Sequence, residues 1–255
     1  MLALGKYNLL EVLRDTGSGL FLGDKEGNEV LLPGKFIPEN TGIGAYIEVF
    51  IYRDNEERLI ATTQETKICL YEFAILTVRS VNDYGAFLDY GIDKDLFVPF
   101  KEQKSKMVEG KSYMIYMYLD GQTDRLTGSA KIEQFLEYDD IELELNKEVL
   151  IQVWKKTDLG YNVIINNQFL GLLYANEIFK ELTIGSQGTA YVYKIREDGK
   201  IDLRLEEEGY AKVEPNAEKI LQLIAKNNGF IALTDKSDPA SIKSMLGMSK
   251  KTFKK

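Results

Sequence analysis

Glycines return in register at two long intervals along this chain, and that recurrence limits its fold more than any other feature. A shift of 66 residues lays "GLFLGD" (19–24) on "GAFLDY" (85–90), pairing Gly19 with Gly85 and Phe21 with Phe87. The same shift pairs Pro33 with Pro99, Gly44 with Gly110 and Asp54 with Asp120. A further shift of 75 carries Gly85 onto Gly160, Gly110 onto Gly185 and Arg125 onto Lys200. Six glycines that keep register through three segments mark one structural unit of roughly seventy residues, used three times.

Each copy is patterned as strands. "LLEVL", "FAILTV" and "VLIQVW" open the three copies, and "EVFIY" (48–52), "YMIYMY" (113–118) and "TAYVYKI" (189–195) follow as β-branched or aromatic runs. Polar turns lead into the closing strands of "DNEERLIATT", "DGQTDRLTGS" and "REDGKIDLRL". About five short strands with a turn every eight to twelve residues predict a small Greek-key barrel of the OB-fold type. The chain is therefore expected to be multidomain and mainly β, with barrels over residues 1–66, 67–137 and 138–211. Gly85, between Tyr84 and Phe87 in "VNDYGAFLDYG", has the task of allowing a tight or bulged bend where a side chain would collide. Whether the two rings fill the barrel or stand on its surface is the question this stretch poses.

Residues 212–255 change to helical spacing. In "PNAEKILQLIAKNN" Ile220, Leu223 and Ile224 share a face and Gly229 suits the stop. "SDPASIKSMLG" predicts a second helix, with Ser237 or Asp238 as cap, Pro239 in the first turn and Gly247 at the end. "SKKTFKK" starts a third from Ser249. Two helices, a glycine turn and a lysine-rich third helix predict an α-rich, winged-helix-like segment that is incomplete as the chain stands. Lys250 and Lys251 are candidate contacts for a nucleic-acid backbone.

The net charge of −8 argues against a protein held to nucleic acid by bulk electrostatics, although residues 211–255 alone carry 9 basic and 4 acidic side chains. The single cysteine, Cys69, rules out an intramolecular disulfide framework, and its alternating setting in "KICLYEF" reads as a buried strand residue. The first residues lack the basic flank and apolar run of a signal peptide, and no apolar stretch approaches a membrane span. A cytoplasmic protein is expected. The absence of histidine removes the commonest general base and metal ligand, and neither a phosphate loop nor a metal-ligand spacing is present. An enzyme is not expected, nor a cofactor or metal.

In copy two, "VRSVNDYGAFLDY", "DLFVPF", Gly110 and "DGQTDR" resemble the ribosomal S-one RNA-binding domain, an OB-fold module. The resemblance implies that Tyr84, Phe87, Val98, Asp120 and Arg125 lie on a binding face, with Val98 where the family usually has histidine. Copy three keeps "GLLYANE", with Tyr174 in the histidine's place and Lys200 at the basic position. Its ring positions hold Leu159 and Asn162, with Tyr161 between them. Tyr161 and Tyr174 fit a second stacking pair or a cross-strand pair equally well. Copy one, with Ser18, Phe21 and Leu32 at these positions, is the most degenerate.

Three such barrels in a row, with "GYNVIINNQFLGLLYANEIF" and "KIREDGKIDLRL" in the third and a winged helix after them, resemble the conserved virulence factor B (CvfB-like) family. That resemblance spans nearly the whole chain and implies a bacterial RNA-binding regulator; from the rings themselves, single-stranded RNA is the expected partner. Bases would stack on exposed rings beside a modestly basic groove. The competing reading is a protein-interaction scaffold or ribosome-associated adaptor, which the acidic balance favours.

Overall fold

The structure, a computed structural model, describes residues 1–175, 178, 181–205, 215–227, 229–234 and 236–246. Strands β1 (Tyr7–Asp15), β2 (Gly19–Gly23), β3 (Glu29–Pro33), β4 (Tyr46–Arg53) and β5 (Leu59–Thr62) close into the first barrel. The second is built from β6 (Phe73–Val81), β7 (Gly85–Asp89), β8 (Leu96–Pro99), β9 (Ser112–Leu119) and β10 (Leu126–Ser129). The third uses β11 (Glu148–Thr157), β12 (Gly160–Ile165), β13 (Phe169–Tyr174), β14 (Gln187–Ile195) and β15 (Ile201–Arg204). All three share one strand order: first, second, third, fifth, fourth, with the third and fifth strands parallel. The expected mainly β architecture of three five-stranded barrels is present.

The recurring glycines have separate structural reasons. A Cβ on Gly19, Gly85 or Gly160 would overlap the carbonyl oxygen of Leu32, Val98 or Leu173 on the neighbouring strand, so in every copy the second strand comes too close to the third for a side chain. Gly44, Gly110 and Gly185 have φ of +84°, +76° and +87°, and their N–H groups donate to the carbonyls of Val12, Val78 and Val153 at 2.8, 2.9 and 2.7 Å. Just after each of those valines the first strand carries a β-bulge, between Val12 and Arg14, Val78 and Ser80, and Val153 and Lys155. The bulge sharpens the coil of the strand so that a five-stranded sheet can close on itself.

The barrels are not beads on a string. In β4 the whole run from Val49 to Tyr52 is buried: Val49 and Ile51 fill barrel one, while Phe50 and Tyr52 turn outward and join the apolar cluster of barrel two. Phe50 meets Tyr90 edge-on at 6.3 Å. The second junction is made likewise, with Trp154 and Ile164 packed against Phe73, Met114 and Ile132. Lys155 Nζ lies 4.3 Å from the Trp154 ring centroid. Each sheet stays separate while apolar packing crosses both boundaries. Cys69 departs from expectation: it sits half-buried in the turn before β6, not in a strand, and burial pushes its thiol pKa up.

Residues 1–205 form one compact unit, and residues from Glu206 onward a second. The second contains α1 (Pro215–Lys226) and α2 (Pro239–Leu246). Gly229, at φ +88°, donates its N–H to the Ile224 carbonyl and ends α1, as its type requires. Asp238, not Ser237, caps α2, its Oδ2 accepting from the Ala240 and Ser241 amides at 3.0 and 3.3 Å. Ile242 and Leu246 pack with Leu233, Ile220 and Leu223. Gly247 and the third helix expected from Ser249 lie outside the described residues. No helix among the described residues is long and apolar enough to cross a membrane.

Candidate nucleic-acid interface

In barrel two the rings point outward. Tyr84, in the turn before β7, is 75% exposed, and Asn82 Oδ1 accepts from the amides of Tyr84 and Gly85 at 2.8 and 3.1 Å, fixing the turn. Phe87 lies mid-strand with Ala86 and Leu88 buried on either side, so strand alternation turns its ring out of the core. Directly opposite in the β7–β8 register stands Phe97, and the two ring centroids are 5.1 Å apart at 38°. Tyr84, Phe87, Phe97 and Arg125 line one groove of about 600 Å³.

Cations border the rings. Arg125 precedes β10, and its guanidinium lies 2.8 Å from Glu57 Oε1 of barrel one. Lys94 Nζ donates to the carbonyls of Arg53 and Asp54 at 2.8 and 2.9 Å. Burial lowers the Lys94 pKa, and the neighbouring Glu57 carboxylate works against that shift. Asp120 does not line the groove. Its Oδ1 accepts from the amides of Gln122 and Thr123 and from the Thr123 hydroxyl, while its own amide donates to the Arg125 carbonyl at 2.9 Å. Those hydrogen bonds, with Thr123 foremost, hold its carboxyl below the usual range. Asp120 thus shapes the turn that presents Arg125.

Two expected contacts must be corrected. Val98 is fully buried, because alternation along Leu96–Pro99 turns it and Leu96 inward. Its side chain can touch no ligand. Phe97, one residue earlier, holds the outward place, and the alternation that identifies it is visible in "DLFVPF". Tyr161 is likewise in the core of barrel three. It pairs with Leu173 while Tyr174 pairs with Gly160, so the two tyrosines stand on opposite sheet faces and form neither a stacking nor a cross-strand pair.

The matching face of barrel three is a smaller groove, about 370 Å³, lined by Leu159, Asn162, Leu172, Arg196 and Lys200 among others. Lys200 is paired with Asp198 at 2.9 Å. Tyr174, part-buried, receives a hydrogen bond at its hydroxyl from Arg196 at 3.2 Å, and Arg196 is also paired with Asp202 at 2.5 Å. In barrel one, Phe21 is covered by the Arg14 guanidinium at 4.2 Å, itself bound to Glu29. Lys250 and Lys251 lie outside the described residues. Spacing along the chain gave no sign of Arg53 and Glu57, which reach the groove because barrels one and two pack together, or of Lys94 of barrel two, which is fastened to their turn.

Comparison with known proteins gives two family-model matches: an S1 domain over residues 4–64 and a CvfB-like winged helix domain over residues 218–255. The first falls on the copy whose ring positions are most degenerate, so the barrel pattern persists there without an open ring face. The Bacillus subtilis protein YitL is 29% identical over 258 residues, covering 98% of this chain and 86% of YitL. Conserved virulence factor B of Staphylococcus saprophyticus is 21% identical over 263 residues, covering 99% of this chain and 87% of that protein. A crystal structure of a multidomain protein with nucleic acid binding domains from Streptococcus pneumoniae covers 98% of this chain and 90% of its own, with 24% identity and a TM-score of 0.44. Three barrels of one topology, an S1 domain match in the first and a CvfB-like winged helix match in the tail make this chain similar, over nearly its whole length, to the conserved virulence factor B proteins.

Proposed function

We propose that this protein binds single-stranded RNA on the outer face of barrel two and acts as a post-transcriptional regulator in the bacterial cytoplasm, with no catalytic step of its own. The observation that carries the reading is the open ring face: exposed Tyr84, outward Phe87 and Phe97, and Arg125 beside them in one groove. Unstacked bases offer flat faces to such rings, each stacked base contributing about 1–3 kcal/mol, whereas a duplex hides them. An acidic chain has few cations to spare for phosphates, so rings should supply most of the affinity and the salt dependence should be moderate. The lysine-rich end and the S1 domain match over residues 4–64 support the same reading.

The test is a fluorescence-anisotropy titration with single-stranded and duplex RNA at two salt concentrations. Single-stranded RNA should bind more tightly, and a Tyr84→Ala/Phe87→Ala double variant should lose most of that binding while Trp154 emission reports that it remains folded. Equal binding by parent and double variant would remove barrel two as the site and favour the protein scaffold.

A further inference from the structure

The groove that holds the rings belongs to two barrels. One wall is β7, β8 and the start of β10; the other is the end of β4 and the turn after it, through Tyr52, Arg53, Asn55 and Glu57. The walls are fastened together. Lys94 Nζ of barrel two donates to two carbonyls of the barrel-one turn, and Arg53 Nε of barrel one donates to the Asp124 carbonyl at 3.3 Å. Glu57 is itself fixed: its backbone has φ +64°, its amide donates to the Asp54 carbonyl and its carbonyl accepts from Arg53 at 2.8 Å. From that position its carboxylate reaches the Arg125 guanidinium, the basic group that the S-one resemblance places on the binding face and that lines the groove with the rings.

A carboxylate on a guanidinium makes the same charge-assisted hydrogen bonds as a phosphate oxygen. Both partners are partly exposed, Arg125 at 59% and Glu57 at 38%, so the pair is weak enough for an incoming anion to replace. We infer that Glu57 is a built-in competitor for the RNA phosphate at Arg125, so that barrel one, which has no open ring face of its own, sets the affinity and salt response of the site on barrel two. This rests on the RNA-binding reading above and adds to it a regulating residue on a different repeat. The chain pays for an Arg125 that is not free, and in return the groove discriminates against polyanions that bring charge but no stacking bases.

Glu57→Gln tests this against Glu56→Gln, which removes the same charge from the same turn but from a residue paired with Arg58 and outside the groove. In anisotropy titrations with single-stranded RNA, Glu57→Gln should tighten binding about three- to fivefold, in line with release of one exposed ion pair, and Glu56→Gln should change it by less than about 1.5-fold. In an Arg125→Ala background the gain from Glu57→Gln should vanish. Equal gains from the two glutamine variants, or a gain that survives loss of Arg125, would overturn the competitor role and leave general charge as the cause. Failure of the RNA-binding reading looks different: the Tyr84→Ala/Phe87→Ala variant would then bind as well as the parent, whatever the glutamine variants do.

Discussion

Barrels two and three share strand order, bulge position and both recurring glycines, yet they present different chemistry on the matching face. Where barrel two sets Phe87 against Phe97, barrel three sets Asn162 against Leu172 in the same register. Tyr84 has Leu159 as its counterpart, which is 63% exposed but carries no flat π-face. The basic groups differ as well: Lys200 and Arg196 are tied to Asp198 and Asp202 of their own barrel, whereas Arg125 is tied to a neighbouring barrel. The residues that close a barrel are buried and constrained by backbone contact, so they recur. Outward positions on the same strands carry no such constraint, and one scaffold can present a pair of aromatic rings or a face of aliphatic and amide side chains.

That contrast can be broken most readily at the rings. Replacing Tyr84 and Phe87 together by Ala should cost about 2–4 kcal/mol of RNA affinity, roughly thirty- to eight-hundredfold in Kd. Phe97→Ala should cost about 1 kcal/mol by removing the ring that braces Phe87, measurable in the same titration. Arg125→Ala should weaken binding only a few-fold and flatten the slope of log K against log salt by about 0.7, one phosphate contact to a single strand. Leu159→Ala with Asn162→Ala, the corresponding change in barrel three, should leave Kd within about twofold. An equal loss there would erase the distinction between the faces.

The smallest effect is on pH. The Asp120 carboxyl is depressed by its hydrogen bonds to the turn that presents Arg125. A depressed carboxylate contributes stability in full above its unfolded pKa and loses it as pH falls through the folded value. The turn should therefore loosen only at acid pH below the ordinary Asp range, seen as a shift of the Thr123 amide resonance. Asp120→Asn, which keeps an acceptor but not the charge, should lack that acid transition.

The barrels were legible because closure demands glycine at fixed places: Gly19, Gly85 and Gly160 by strand approach, Gly44, Gly110 and Gly185 by positive φ. The outward direction of Phe87 follows from alternation, and the same rule, applied strictly to "DLFVPF", selects Phe97 over Val98. Tyr161 lies in sequence between the outward positions Leu159 and Asn162, but adjacency along a strand means opposite faces, and the β12–β13 register sends its ring inward. Glu57, Arg53 and Lys94 were beyond reach for another reason. They meet through the burial of Phe50 and Tyr52 between two barrels, and a repeat pattern describes each barrel without saying which faces will seal together.

The most direct test of the central claim is to map where RNA touches the protein. Photo-crosslinking of the intact chain to a single-stranded RNA containing thiouridine, followed by mass spectrometry of the linked peptides, reports contact without any substitution. Crosslinks are expected on Tyr84, Phe87 or Phe97, with few on the matching positions from Leu159 to Leu172. Crosslinks concentrated on barrel three or on the lysine-rich end, with none on the three rings, would contradict the account.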